Sequence, residues 1–380
     1  MKLQRIPAVF MRGGTSKALV FRAEDLPVDH AEWPAVFLAA MGSPDPHGRQ
    51  LDGMGGGLSS LSKVCIVAPP SRADADVDYT FAQVGVSDTT VDFAGNCGNM
   101  SSAIGPFAIE EGLAAAPADG EAVVRIHNTN TGKIIVARFP VEDGRLAANG
   151  ELALDGIAGT AAPIRLEFLD PGGAKTGCLL PSGSPVDELE VPRLGTIRAS
   201  CVDAANPAVF VAAADLGLTG AELPDAIERD AALLERLEAI RRAGSVRMGL
   251  TPDLNAAGRI GAIPKVAVVA APLDTPTLSG RMLAADKMDI AIRMISVGQP
   301  HRAVPITGAI GLAVAARVPG TIPHALCRAG EGAIRIGHPS GTILVDAAVS
   351  AGPDGAMIAE YGAVYRSARR LFEGAVLYRA

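Results

Sequence analysis

Short apolar runs alternate with turn residues along this chain, and the runs come twice in the same order. Ala18–Leu26 (ALVFRAEDL) and Ala208–Leu216 (AVFVAAADL) each read as a strand running into an Asp-Leu turn. Lys63–Pro69 (KVCIVAP) and Lys265–Ala271 (KVAVVAA) each place a lysine before an apolar strand. Asp78–Val86 (DYTFAQVGV) answers Asp289–Val297 (DIAIRMISV). Cys97-Gly98 and Thr307-Gly308 each precede a small-residue apolar helix, running to Gly112 and Val318. The offsets are 190, 202, 211 and 210, so four matches in order predict an internal duplication.

A helix apolar on nearly all sides is buried on nearly all sides. Each half is therefore expected to be α+β (α/β in the broad sense), its strands wrapped around its own central helix. Gly105-Pro106 predicts that the first helix starts late or kinks there. Three prolines in Pro181–Pro192 (PSGSPVDELEVP) put the boundary nearby. The expected halves are residues 1–184, with 371–380 able to pack there, and 185–370, with a ligand cleft between them.

Composition supports a globular reading and removes several functions. Of the 380 residues 48% are hydrophobic and 4% aromatic, so the cores rest on Ala, Val, Ile and Leu. A net charge of -7 without a Lys/Arg block argues against nucleic acid or an anionic membrane as partner. No segment reaches the roughly 18 apolar residues of a membrane helix, and Met1–Gly14 has no signal-like apolar core. The cytoplasm is the expected compartment. Five dispersed cysteines without a C-x-x-C pair suggest neither a disulfide framework nor a thiolate zinc site. The histidines show no metal spacing, so no metal is expected.

Three segments carry candidate chemistry. Gly95–Ser102 (GNCGNMSS) puts Cys97 at a helix entrance, where free N–H groups and the helix dipole favour a thiolate and attract a carboxylate. Asn96, Gly98 and Asn99 flank it, and the same place in the second half offers Thr307 and Gly308. Met11–Lys17 (MRGGTSK) reads as an anion-cradling turn through Arg12, Thr15, Ser16 and Lys17, and is not a P-loop. Lys63 and its counterpart Lys265 open matching strands, which marks both as ligand-facing. His301, just before the second helix, is a further contact candidate.

Those strings, with MGSPDP, GRQLDGMGGG, SSLSK, GNCGNMSSAIGPFAIEEG, GLAVAARVPG, GHPSG and ARRLFEG, resemble the 2-methylaconitate cis-trans isomerase (PrpF) family over the whole length. The resemblance implies a diaminopimelate-epimerase-like fold of two pseudo-symmetric halves. It implies isomerisation of unsaturated di- and tricarboxylates such as 2-methylaconitate, aconitate, 4-oxalomesaconate or methylitaconate, without a cofactor. Lys63 and Cys97 fall on the family's acid/base positions, and either could remove the first proton. A 4-oxalomesaconate tautomerase or Δ-isomerase is the alternative of the same kind. An epimerase using two thiols is disfavoured by Thr307, and a non-catalytic carboxylate-binding protein is the alternative of another class. A small anionic unsaturated polycarboxylate is the expected partner, and a homodimer is left open.

Overall fold

The computed structural model describes residues 3–328, 330, 332–353 and 355–379. The chain forms two compact units, Met1–Phe168 with Tyr365–Ala380, and Leu169–Val364. The division thus falls before the proline-bearing stretch rather than within it, because Asp170, Gly173, Lys175, Thr176 and Leu179 hydrogen-bond to Glu360 and Asp203 of the second unit.

In the first unit the strand Leu3–Gly13 lies between Ala368–Arg379 and Ser16–Arg22, antiparallel to both. Ser16–Arg22 runs parallel to Lys63–Ala68, which pairs antiparallel with Val77–Val84. The sheet continues through Gly120–Asn128, Lys133–Glu142 and Ile164–Leu169. Alternation gives it two apolar faces. Leu19, Phe21, Val64 and Ile66 pack outward on the helix Trp33–Met41. The other face wraps the helix Gly98–Glu110, whose residues Met100 to Ile109 are all buried. Each fully buried Ile, Phe or Met there contributes about 1.5–3 kcal/mol.

That helix begins directly after Cys97 and runs through Pro106. The expectation of a late start fails because packing overrides the local rule. Gly105 lets the helix approach the sheet so closely that a Cβ there would lie 2.7 Å from Phe139. That fit holds the helix on the sheet even though Pro106 cannot donate to the Ser102 carbonyl.

The second unit repeats the plan. Asp187–Val191, Gly195–Ala204, Asn206–Ala212, Lys265–Ala270, Ile290–Ser296, Ile334–His338, Gly341–Ala351 and Met357–Arg366 follow one another as neighbours. The parallel pairs sit at the same two places in both units, with Ala18 opposite Lys63 and Ala208 opposite Lys265. Val209, Val211, Val266 and Val268 pack outward on Ala231–Arg247, and Ile306–Arg317 is the buried central helix.

Two expected matches shift when register is read. Lys63 faces Gln83 and Lys265 faces Ser296, so Asp78–Val86 lies two residues out of step with Asp289–Val297. The Cys97 carbonyl accepts from Ser101 N as the Pro305 carbonyl accepts from Ala309 N. Pro305 is therefore the N-cap of the second helix as Cys97 is of the first, two residues before Thr307.

Candidate active site

Lys63 opens its strand on the face opposite Val64 and Ile66, which puts its side chain on the central-helix side. It is 8% exposed. Its Nζ donates to Gln83 Oε1 and lies 5.1 Å from the Phe81 ring centre. Gln83 Nε2 donates in turn to the Ser59 and Ser62 carbonyls, which aims its oxygen at the lysine. Both partners of the ammonium are neutral, so its charge is available to an anion.

Cys97 is the half-buried N-cap of the central helix, in extended conformation (φ -109°, ψ 98°), and its thiol makes no capping bond. The first-turn N–H groups beside it have no intrahelical acceptor and carry the positive end of the dipole. Asn99, the second residue of the helix, joins two other segments. Its Nδ2 donates to Thr15 Oγ1 at 3.2 Å, and its Oδ1 accepts from Arg366 Nε at 3.1 Å. Burial pulls the Arg366 guanidinium down to about 10, and nearby Cys97 opposes that change. Arg366 thus adds an unforeseen cation beside the thiol.

Beneath Cys97 lie two fully buried groups, with Cys65 Sγ 3.8 Å from Tyr79 Oη. Burial, then Cys97, pushes the Cys65 thiol up, while Tyr79 and Lys63 pull it down. Burial likewise raises Tyr79, with Cys65 and then Cys97 adding to it. Cys65 therefore feels both Lys63 and Cys97.

The loop leading into the helix rests on asparagines. Asn130 accepts from Phe81 N at 2.8 Å and donates to the Phe81 and Phe93 carbonyls at 2.9 and 2.7 Å. Fully buried Asn128 donates to Asn96 Oδ1, which also accepts from Ser101 Oγ. The reach of Asn128 and Asn130 to the helix entrance carries no signal in the sequence and comes only with the fold.

The Met11–Lys17 turn divides its residues. Gly13 pairs with Ser16, leaving Gly14 and Thr15 as a two-residue loop, with Gly14 at φ 50°. A Cβ on Gly13 would lie 2.6 Å from Asn99 O, so the glycines let the turn dock on the helix entrance. Thr15 reaches Asn99, and Ser16 is buried. Arg12 and Lys17 are cross-strand partners on the face of Phe10 and Leu19, opposite that of Met11 and Ala18. Lys17 lies 5.6 Å from the Phe10 ring, and Arg12 Nη1 donates to the Gly14 and Ser367 carbonyls. These two cations point away from the helix-facing side that carries Lys63, so alternation removes them from the expected cradle.

In the second unit Lys265 Nζ donates to Ser296 Oγ at 2.7 Å. Burial holds Lys265 below its ordinary value; burial and then Lys265 do the same to His301. His301 Nε2 is buried without a partner. These two expected residues are together. Thr307 is exposed inside the first helical turn, and Gly308 packs on Met294. Among the described residues no group of three His, Cys, Asp or Glu side chains is arranged to hold a metal ion.

Two units, each a sheet wound about a buried helix, constitute the diaminopimelate-epimerase-like fold. The model of the family described as PrpF protein matches residues 3–379, and the chain belongs to that family. It is 42% identical to a 2-methyl-aconitate isomerase of Cupriavidus necator, over 97% of this chain and 96% of that one. It is 38% identical to a 4-oxalomesaconate tautomerase of Pseudomonas putida, over 98% and 96%. The crystal structure of a methylitaconate-delta-isomerase matches with a TM-score of 0.90 at 41% identity, covering 100% of this chain and 96% of that one. The protein is an isomerase.

Proposed function

We propose that this isomerase interconverts small unsaturated di- or tricarboxylates by allylic proton transfer between Lys63 and Cys97, with no cofactor. The observation that carries the reading is that Lys63 and Cys65 alternate onto the helix-facing side of one strand, where fully buried Cys65 lies 3.8 Å from Tyr79. It supports one shared neighbourhood on the helix-facing side of the sheet. One residue takes a proton from carbon beside a carboxylate and allylic to a C=C bond. The C–H electrons enter the conjugated system, giving a dienolate whose charge rests on the carboxylate oxygens. The other residue returns a proton at the far end, moving the double bond, or at the same carbon after rotation, exchanging cis for trans.

Arg366, Thr15, Asn96, Gly98 and Asn99 surround the helix entrance and are the proposed cradle for the developing anion. Within the second unit, Lys265 and His301 are proposed as an anion-binding pair in their own right. A panel including 2-methylaconitate, methylitaconate and 4-oxalomesaconate, followed by proton NMR in deuterium oxide, tests this. Turnover with deuterium uptake at the allylic carbon is expected. Lys63→Ala and Cys97→Ser should each lower it by about 10²- to 10⁴-fold. Normal turnover by Cys97→Ser would remove the thiol from the mechanism.

A further inference from the structure

The first unit holds a cavity of about 740 Å³ that neither Cys97 nor Lys63 lines. Its walls are the strand that begins at Ala368 and the segment from Arg145 to Ala161, with Arg12 and Glu110. Arg12, Arg145, Arg369 and Arg370 line it together with Glu110 and Glu373. Both glutamates are already taken, since Arg370 pairs with Glu110, Glu111 and Glu373 at 2.7, 2.8 and 2.8 Å.

Arg12, Arg145 and Arg369 are left without a carboxylate partner among the described residues. Arg12 and Arg369 are moreover direct cross-strand neighbours. Like charges in that position repel and destabilise a sheet. Burial, and then Arg369, holds the Arg12 guanidinium below its ordinary value. An anion between the two would turn the repulsion into a shared ion pair.

We propose that this cavity binds a compact polyanion bearing two or more carboxylate or phosphate groups, held by Arg12, Arg145 and Arg369. Arg12 couples it to the chemistry. The same Nη1 that holds the Gly14 and Ser367 carbonyls belongs to the guanidinium facing the anion. Gly14 in turn abuts Asn99 at the entrance of the central helix. Occupancy therefore shifts the turn that braces the isomerase site.

Calorimetric titration with citrate and with inorganic pyrophosphate tests the site and separates a carboxylate from a phosphate ligand. Saturable binding of at least one is expected, weakened about tenfold or more in Arg145→Ala and in Arg369→Ala. Both side chains are exposed, so the variants should fold, and Arg369→Ala should melt no lower than the parent. Binding should survive Cys97→Ser. The bound anion should also change KM of the parent but not of Arg369→Ala. No saturable binding of either probe, or binding untouched by both arginine variants, overturns the site. Binding that leaves the kinetics unchanged overturns the coupling.

Discussion

Replacing Gly14 by alanine tests whether the turn and the helix entrance act as one piece. At φ 50° an L side chain costs about 1–2 kcal/mol. The new Cβ would also stand 2.4 Å from Asn99 Oδ1 and 3.2 Å from Arg366 Cδ. Ordinary contact needs 3.4 Å, so Asn99 must retreat by about 1 Å. A displacement of that size near reacting groups can cost about 10²-fold in rate. Gly112→Ala supplies the control at the other end of the helix, with φ 69° and no atom within 4 Å of its Cβ. Urea denaturation should show a loss of about 1–2 kcal/mol in Gly112→Ala with kcat/KM unchanged. Gly14→Ala should lose about 1–3 kcal/mol more from crowding, and about 10²-fold in kcat/KM. If Gly14→Ala keeps kcat/KM within about threefold of the parent, the turn does not position the site and the reasoning fails.

Other outcomes follow from the same contacts. Arg366→Lys keeps the charge but loses the fork that meets Asn99 Oδ1 and the Tyr365 carbonyl together. It should lower kcat/KM by about 10- to 150-fold, the worth of a charged hydrogen bond, with most of the change in KM. Asn130→Ala strands the Phe81 N–H and the Phe81 and Phe93 carbonyls, and should destabilise the first unit by about 2–4 kcal/mol in urea. His301 has its folded pKa depressed by burial and Lys265. Its contribution is therefore complete above the unfolded value of about 6.5 and is lost as pH falls through the folded value. The urea midpoint should fall more steeply on acidification below about pH 6.5 in the parent than in His301→Gln; equal slopes would contradict this.

The duplication was legible because its signals are local. A lysine opening an apolar strand reads the same in both halves, and the registers Ala18–Lys63 and Ala208–Lys265 bear the first two matches out. The third match slipped by two residues because strand alternation has a period of two and the same face is presented either way. Arg366 could not be found from sequence, since Asn99 lies 267 positions away and joins it only through folding. The Asn128–Asn130 support is hidden for the same reason. The outward turn of Arg12 and Lys17 did have a signal, because alternation already sets Lys17 apart from Ser16 and Ala18. Pro106 misled because a proline's local cost says nothing of the Gly105–Phe139 fit that offsets it.

The pairing of Leu3–Gly13 with Ala368–Arg379 bears on the order of events at the ribosome. One long edge of the first unit has no neighbour until Ala368–Arg379 has been made, whereas the strands from Asp187–Val191 to Met357–Arg366 pair in succession with one another. At the usual 5–20 residues per second, the first unit waits roughly 10 to 40 s for its last strand after Phe168 is added. Throughout that interval a long strand with open hydrogen-bonding groups invites pairing with other nascent chains. The later-made half is thus the earlier one to complete its sheet.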